Sequence, residues 1–283
     1  MPTVVDGHTI AQGIYKKLVK QVPVLKEKNI VPKLGVILVG AHKPSQTYVK
    51  RKGEAAKKIG VGFKLRKLSS KISTLALIQE IKKMQQPSVG LTGLIVQLPL
   101  PKHINTGKVL EAISPQLDVD CLTQTNLGKL VTGSYWIEPP TPGAILQILK
   151  YHKVLLKGKK IAIIGAGALV GKPLSNMLMH EEATISILNQ YTPDLSEYTK
   201  NADIVITGVG KHNLLTGDMI KEGAIVIDAG VSFVGKKMYG DIDLKSVRSK
   251  AAIVTPTPGG VGPLTVAKLI ENTVKCAQKK LKK

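Results

Sequence analysis

The sequence predicts an α/β protein of two domains, the second of which is a doubly wound parallel sheet. Short apolar runs of the kind found in buried strands alternate with segments of helical periodicity along the chain. Aromatic residues make up only 4% of the 283 residues, so the core must be aliphatic, and Val, Ile, Leu and Ala dominate the apolar runs. Such runs are typical of parallel strands covered by helices, and the length allows two modest domains.

The first half of the chain alternates strand-like and helix-like segments. Residues 34–40 (LGVILVG) form an apolar run that ends in glycine, which predicts a buried strand. The following segments are a helix from about Pro44, a strand at 61–68, a helix at 74–85 and a strand at 94–98 that ends before Pro99. Thr141 is the expected N-cap of the next helix, with Pro142 at its first position and its end near His152.

The second half repeats the alternation at shorter spacing. Its strand-like runs lie at 160–164, 184–188, 203–207, 224–228 and 252–254. This βαβ series predicts a parallel sheet. Pro263 is expected to begin a last helix, whose C-terminal lysines suit the negative end of the helix dipole.

The domain boundary is expected near residue 140. The first domain then comprises residues 1–140 and the second residues 141–263. The last helix, residues 264–283, is expected to pack back on the first domain.

The charge of the chain is strongly basic, with 41 basic and 19 acidic residues and a net charge of +22. So large an excess suggests nucleic-acid binding. However, the lysines are scattered along helical faces, and no basic segment is interleaved with aromatic residues that would stack on bases. The pattern favours a solvated lysine surface that would also attract a polyanionic small substrate, and no nucleic-acid partner is expected.

The few cysteines and the absence of long apolar segments indicate that the protein is located in the cytoplasm. Only Cys121 and Cys276 are present, with no CxxC pair, as is typical of reducing compartments. Residues 1–20 lack the apolar core of a signal peptide, and no apolar run is long enough to span a membrane, so no membrane partner is expected. The histidines show no metal-ligand spacing, and no metal site is expected.

The run IAIIGAGALVGKP at 161–173 is the clearest local motif. A strand leads into a glycine-rich turn and a helix, where Gly165 permits a tight turn and Gly167 lets backbone N–H groups approach a dinucleotide pyrophosphate. Within a βαβ series this indicates a Rossmann-type domain, although the GxGxxxG spacing is a variant and such turns also occur without ligands. The second strand ends in Asn189-Gln190, with neither an acid for the ribose nor an arginine for a 2′-phosphate. This feature therefore does not decide whether the cofactor is NAD or NADP.

Polar side chains in the first half are candidate catalytic residues. Tyr48 and Lys52 stand one helical turn apart, and a partly desolvated lysine beside a tyrosine ring would have a lowered pKa suited to proton transfer; an ordinary surface pair is the alternative. Gln97 ends a buried strand, where ligands bind in open α/β sheets. Asp118 and Asp120 would bind metal, cap a helix or accept hydrogen bonds from a heterocycle, with metal the least favoured because no His or Cys ligands lie nearby.

The segment TPTPGGVGPLT at 255–265 is unusually rich in glycine and proline. Its backbone is stiff and carries few bulky side chains, so a flat ligand can lie against the main chain.

Four segments, in this order, resemble the bifunctional methylenetetrahydrofolate dehydrogenase/methenyltetrahydrofolate cyclohydrolases. They are SQTYVKRK at 45–52, GLIVQLPLP at 93–101, LDVD at 117–120 and TPTPGGVGPLT at 255–265. The resemblance extends over nearly the whole chain. It implies NAD(P)-dependent oxidation of 5,10-methylenetetrahydrofolate and hydrolysis of the product to 10-formyltetrahydrofolate, in one-carbon metabolism and purine biosynthesis. It further implies a homodimer and an active-site cleft between a folate-binding domain and the Rossmann-type domain.

The resemblance also implies roles for individual residues. Tyr48 would stack on the aminobenzoyl ring of the folate, and Asp120 would hydrogen-bond the pterin. Lys52, positioned by Gln97, would serve the cyclohydrolase step. The residues implied to line the folate cleft against the nicotinamide are Pro258, Gly259 and Gly262. The implied cofactor-binding residues are Thr141, Gly165, Ala166, Gly167, Leu169, Val170, Asn189, Gln190, Val209 and Thr265.

Several positions depart from the pattern of the family. Ala166-Gly167 stands where Arg-Ser is usual, and Asn189-Gln190 where His-Ser is usual. The missing side chains are those that would hold the 2′-phosphate of NADP, so NAD or relaxed cofactor use is an alternative. Leu117 and Cys121 replace the usual Lys and Gly around the two aspartates, and Pro140 replaces a Cys.

Three other interpretations stay open at this level. One is a different Rossmann dehydrogenase that acts on a small hydroxy or amino acid, against which the set of Tyr48, Lys52, Gln97 and Asp120 argues. Another is a basic protein that kept the fold and binds nucleic acid without catalysis. The third is a dehydrogenase of the same family that lost the cyclohydrolase activity or changed its cofactor.

Overall fold

The protein is described by a computed structural model, which covers residues 2–235 and 237–282 apart from the side chain of Lys282. The strands, in chain order, are β1 (Thr3–Val4), β2 (Lys33–Val39), β3 (Gly62–Leu68), β4 (Gly93–Val96), β5 (Lys160–Ile164), β6 (Thr184–Leu188), β7 (Ile204–Thr207), β8 (Ile225–Asp228), β9 (Ser232–Val234), β10 (Lys237–Tyr239) and β11 (Ile253–Val254). The helices are α1 (Gly7–Glu27), α2 (Lys43–Lys58), α3 (Thr74–Met84), α4 (Thr106–Glu111), α5 (Gln124–Val131), α6 (Pro140–Tyr151), α7 (Gly171–His180), α8 (Leu195–Thr199), α9 (Leu244–Arg248) and α10 (Val261–Lys279). Short 3-10 helices lie at Pro87–Val89, Gly217–Met219 and Lys280–Lys282.

The chain folds into two compact units, as the predicted two-domain α/β class requires. The six-strand unit comprises residues 2–12, Leu130–Ser134 and Thr141–Thr265. The three-strand unit comprises Gly13–Lys129, Tyr135–Pro140 and residues 266–282.

The six-strand unit is built on a parallel sheet with the strand order β1-β11-β8-β7-β5-β6. After β5 the chain continues to β6 on one side and then to β7 on the other, so the strand order reverses between β5 and β7. In open α/β sheets the crevice at the carboxyl ends of such strands is the usual ligand site. The core is aliphatic, and every residue of β7 is buried because both faces of the sheet are covered.

The three-strand unit contains a smaller parallel sheet with the order β3-β2-β4. Beyond β4, Leu94 forms an isolated parallel bridge with Asp118, and the N–H of Leu94 donates to the carbonyl of Leu117 at 2.7 Å. The segment that carries the two aspartates therefore lies directly beside β4. On the opposite edge, β3 has four exposed residues in its middle.

The units divide the chain differently from the predicted domains at its N-terminus. Residues 2–12 lie in the six-strand unit because β1 pairs with β11, and the N–H of Val5 donates to the carbonyl of Val254 at 2.9 Å. A strand of two residues carries no periodicity, so the sequence did not indicate it. From Val266 onward the last helix lies in the three-strand unit, and Lys283 is outside the described residues.

Two predicted helix starts are wrong by two residues each. α6 begins at Pro140, so Thr141 lies within its first turn and is not its N-cap. α10 begins at Val261 rather than Pro263, so the glycine- and proline-rich segment is a loop only as far as Gly260. Among the described residues no helix combines the length and the apolar character that crossing a membrane requires.

Candidate active site

A hydrogen bond between Lys52 and Gln97 forms the centre of the candidate site in the three-strand unit. Nζ of Lys52, on α2, donates to Oε1 of Gln97 at 3.0 Å. Nε2 of Gln97 donates to the carbonyl of Leu98 at 2.8 Å, which turns the amide oxygen toward the lysine. The backbone N–H of Gln97 donates to the carbonyl of Ile37 at 2.9 Å, so the sheet itself fixes this residue. The structure thus brings together two residues that are 45 positions apart in the chain.

The two aspartates of the LDVD segment have different surroundings. The carboxylate of Asp118 is buried and accepts hydrogen bonds from the N–H groups of Leu122 and Thr123, from the hydroxyl of Thr123 and from Nδ2 of Asn126. These contacts fix the loop before α5, so Asp118 is a structural residue. Asp120 is only partly buried and lies close enough to Lys52 for the two charges to interact.

Burial and charge act in opposite directions on Lys52 and Asp120. Burial lowers the pKa of the Lys52 amine below its ordinary value, while the negative charge of Asp120 raises it. Burial likewise raises the pKa of the Asp120 carboxyl, while the positive charge of Lys52 lowers it. The site therefore holds an amine that loses its proton more readily than a surface lysine does.

Cys121 follows Asp120 in a left-handed backbone conformation with a φ of 58°. Glycine adopts this conformation without steric cost, which suits the glycine that the resemblance described above implies at this position. Here a non-glycine residue adopts it. Burial raises the pKa of the Cys121 thiol to about 12, so it is a poor nucleophile.

Tyr48 lies on α2 one turn before Lys52 and is partly buried. Burial raises the pKa of its phenol, an effect that the nearby Arg51 charge opposes. Tyr48 therefore presents a neutral aromatic ring on the helix that carries the lysine.

The glycine-rich turn between β5 and α7 lies at the carboxyl end of β5, where the strand order of the six-strand unit reverses. Gly165 has a φ of 114°, which glycine alone adopts readily, and a Cβ on Gly171 would overlap the carbonyl of Gly165. The helix therefore starts very close to the strand, as a dinucleotide pyrophosphate requires. A Cβ on Gly167 would meet only open space, so no protein atom requires glycine there, and the predicted approach of a pyrophosphate to its backbone stays a prediction.

The remaining expected cofactor residues lie in the same unit. Oδ1 of Asn189 accepts a hydrogen bond from the N–H of Tyr191 at 2.9 Å, so the Asn189 side chain shapes the turn after β6. Thr265 Oγ1 donates to Thr141 Oγ1 at 3.4 Å, which brings two of these residues together. The side chains of Leu169 and Val209 are 48% and 49% exposed. The others, Ala166, Val170 and Gln190, lie in the turns after β5 and β6.

The loop before α10 has the open backbone that the sequence indicated. Gly259 has a φ of 109°, and a Cβ there, or on Gly262 in the first turn of α10, would contact nothing. Pro258 is exposed. The N–H of Gly7 donates to the carbonyl of Gly259 at 2.9 Å, and a Cβ on Gly7 would overlap the carbonyl of Gly260. Sequence analysis missed Gly7, for which the only signal is a glycine just before a helical run.

Sequence analysis also missed Asp228 and Asp241, two buried carboxylates in the six-strand unit. Asp228 ends the apolar run IVID, and that position at the end of a buried strand was the available signal. Within the described part of the chain, no group of three or more His, Cys, Asp or Glu side chains is arranged to hold a metal ion.

Comparison with known proteins identifies the family. The model of the tetrahydrofolate dehydrogenase/cyclohydrolase catalytic domain matches residues 5–120, and the model of its NAD(P)-binding domain matches residues 139–281. The bifunctional protein FolD of Nitratiruptor sp. is 44% identical over 98% of this chain and 98% of its own length.

Solved structures agree with this match. The FolD methylenetetrahydrofolate dehydrogenase/cyclohydrolase of Campylobacter jejuni superposes with a TM-score of 0.95 at 40% identity, over 99% of this chain and 100% of that one. The Trypanosoma brucei enzyme, complexed with NADP cofactor and inhibitor, superposes with a TM-score of 0.96 at 33% identity, over 100% of this chain and 99% of that one. Because both family models match in order and the relatives align over nearly the full length, the chain belongs to the tetrahydrofolate dehydrogenase/cyclohydrolase family.

Proposed function

We propose that this protein oxidises 5,10-methylenetetrahydrofolate to the methenyl cation with NAD(P) and hydrolyses that cation to 10-formyltetrahydrofolate. Membership of the family and the names of its relatives support both activities. The observation that carries the proposal is the Lys52–Gln97 hydrogen bond beside Asp120, because it supplies a partly desolvated amine held in one orientation.

The oxidation requires positioning more than acid or base catalysis. Hydride leaves the methylene carbon as the adjacent nitrogens delocalise the positive charge, and NAD(P), when bound, supplies the hydride acceptor. Tyr48 stacks on the aminobenzoyl ring, and Asp120 accepts hydrogen bonds from the pterin. The exposed backbone of Pro258, Gly259 and Gly262 lies against the flat ligands.

The hydrolysis requires proton transfer. Neutral Lys52 accepts a proton from the water that attacks the methenyl carbon, and Gln97 holds the amine in place by its amide oxygen. Lys52 and Gln97 thus supply the cyclohydrolase chemistry, while the negative charge of Asp120 raises the pKa of the Lys52 amine.

The substitution Lys52→Ala tests this assignment. We expect it to remove methenyl hydrolysis while folate binding persists. The matched control is Lys50→Ala, two residues away on α2, because the Lys50 side chain is 79% exposed and forms an ion pair with Glu54 on the surface of the helix. Hydrolysis is followed by the loss of methenyl absorbance, and folate binding by calorimetry. Full hydrolysis by the Lys52 variant would refute the role of this residue.

Cofactor choice is the second part of the proposal, and we infer that NAD is used as well as NADP. The turns after β5 and β6 carry Ala166-Gly167 and Asn189-Gln190, with no arginine to hold a 2′-phosphate. Initial rates with methylenetetrahydrofolate and each cofactor separately give the preference. A kcat/KM for NADP more than a hundredfold above that for NAD would contradict relaxed use.

We propose a homodimer formed through the edge of the smaller sheet. Among the described residues β3 pairs only with β2, and its exposed edge adjoins a cavity of about 340 Å³ lined in part by Val49, Phe63 and Leu65. A second copy pairing antiparallel with β3 would bond the unpaired backbone groups of this edge and cover the exposed part of Leu65. Leu65→Lys should give a monomer by light scattering, whereas the control Leu75→Lys, at a leucine on α3 that is 74% exposed, should not. A dimer that persists in the Leu65 variant would exclude this interface.

We propose that the protein works in the cytoplasm. Both cysteines are buried free thiols, which suits a reducing compartment. Fractionation of cells that express the tagged full-length chain tests this location, and recovery with membranes or in the medium would contradict it.

A further inference from the structure

The six-strand unit contains a buried carboxylate that the proposed reaction does not use. Asp241 lies just after β10 and is 0% exposed. It accepts hydrogen bonds from three consecutive backbone N–H groups, those of Val209 at 2.7 Å and of Gly210 and Lys211 at 2.8 Å each. Hydrogen bonds to an ionised acceptor are about twice as strong as neutral ones, so the loop after β7 is built around this carboxylate.

The surroundings of Asp241 are shaped to hold it. A Cβ on Gly230 would overlap the Asp241 carboxylate, so glycine at that position makes the room. The N–H of Asp241 donates to Asp228, whose carboxylate also accepts from the hydroxyl of Thr207 at 3.0 Å. The N–H of Asp228 in turn donates to the hydroxyl of Thr255 at 2.7 Å. One hydrogen-bond network thereby joins the carboxyl ends of β7, β8 and β11.

The loop that Asp241 holds, residues 208–211, lies against the glycine-rich turn. A Cβ on Gly165 would be 3.0 Å from the carbonyl of Gly208 and 3.2 Å from a methyl of Val209. The loop is therefore at the reversal point between β5 and β7, where a ligand is expected. Because the N–H groups of residues 209–211 point to Asp241, the loop offers a ligand the half-exposed Val209 side chain rather than donors for a phosphate.

On the basis of the function proposed above, we propose that Asp241 is a positioning residue for the dinucleotide. It fixes the loop 208–211 so that Val209 contacts an uncharged part of NAD(P). The same geometry keeps phosphate groups away, since a fixed negative charge lies directly behind the loop. Asp241 itself does not touch the cofactor.

The isosteric substitution Asp241→Asn tests this role in the full-length protein. It places an amide NH2 where the N–H groups require an acceptor, so the loop must shift. We expect the dissociation constants of NADH and NADPH, measured by their fluorescence, to rise by the same factor of about 10 to 100. We expect methenyl hydrolysis, which uses no dinucleotide, to stay within twofold of wild type. The control is Asp243→Asn, two residues away, whose side chain caps α9 and should change neither quantity.

Gly230→Ala is the second variant, because it displaces the Asp241 carboxylate without removing its charge. It should raise the dissociation constants of NADH and NADPH by the same factor. Unchanged dissociation constants in both variants would overturn the role of Asp241. Equal loss of dinucleotide binding and hydrolysis would also overturn it, since a general structural defect would then explain the result. Dinucleotide binding is measured without folate, so an inactive wild type would count against the proposed function, while the dissociation constants of the variants would still test the role of Asp241.

Discussion

At the scale of residues, the candidate site combines groups whose identity is visible in the sequence with properties that are not. The spacing of Tyr48 and Lys52 placed both on one helix face, and α2 contains both. The residue pattern left open whether Lys52 is desolvated, and only the family resemblance paired it with Gln97. Both the burial of Lys52 and its hydrogen bond to Gln97 at 3.0 Å depend on how α2 packs on the sheet. The residue pattern alone treated Asp118 and Asp120 alike, and only the family resemblance singled out Asp120. The structure shows that the Asp118 carboxylate is occupied by hydrogen bonds within its own loop.

The pH dependence of hydrolysis follows from the electrostatics of Lys52. If the neutral amine accepts the proton, the rate at saturating substrate rises with pH through the Lys52 pKa, which burial places below the ordinary 10.5. Asp120 favours the charged amine, so Asp120→Asn should move the midpoint to still lower pH. The measurement is a pH–rate profile of both proteins with the uncatalysed rate subtracted at each pH. A midpoint that stays in place or moves upward in the variant would show that Asp120 does not act on the amine.

At the scale of elements, the sequence predicted most of the strands but did not indicate which strands pair with each other. The runs at 160–164 and 184–188 are β5 and β6 with the same bounds, because buried parallel strands are continuous aliphatic segments. β1 was missed for its shortness, and the starts of α6 and α10 were displaced because turn residues mark a helix start only approximately. The bridge between Leu94 and Asp118, which brings the aspartates beside β4, is a long-range pairing that no local pattern reports.

The helix α10 holds the Asp120 loop through one buried side chain. Nδ2 of Asn272 donates to the carbonyl of Val119 at 2.9 Å and to that of Glu138 at 2.7 Å, while its buried Oδ1 has no hydrogen-bond partner in the described part of the chain. The amide thus ties α10 to the residue directly before Asp120. Both amide hydrogens are used, so aspartate at this position would place oxygen against two carbonyls.

We expect Asn272→Ala to lower the free energy of unfolding by about 2 kcal/mol, since two buried carbonyls lose their donor while one unpartnered oxygen is removed. The KM for folate should rise in the same variant, because Val119 is no longer anchored. Urea unfolding followed by the fluorescence of Trp136, the single tryptophan of the chain, measures the first effect. The control is Thr273→Val, on the next residue, whose hydroxyl bonds within the helix to Leu269. A loss no larger than that of the control would mean that Asn272 does not anchor the loop.

At the scale of the whole molecule, the two units carry different chemistry. The three-strand unit holds the proton-transfer group Lys52 with Gln97 and Asp120, and the six-strand unit holds the tight turn suited to a dinucleotide. The predicted family and fold class are confirmed by the matches over nearly the full chain. The predicted site roles stay predictions. The net charge of +22 belongs to no single motif, and its consequence is a long-range field.

The positive electrostatic field of the protein predicts how the catalytic rate depends on salt. Both substrates are anions, and a strongly positive protein raises their local concentration by an amount that salt screens. We therefore expect kcat/KM to fall about tenfold between low and ~0.5 M salt, with kcat at saturation nearly unchanged. NADP carries a 2′-phosphate that NAD lacks, so its kcat/KM should fall more steeply with ionic strength than that of NAD. Steady-state rates with both cofactors across a sodium chloride series, repeated with potassium chloride to separate screening from ion-specific effects, measure the two slopes. Equal slopes for the two cofactors would mean that the surface charge does not steer the dinucleotide, and the lysines would then serve solvation alone.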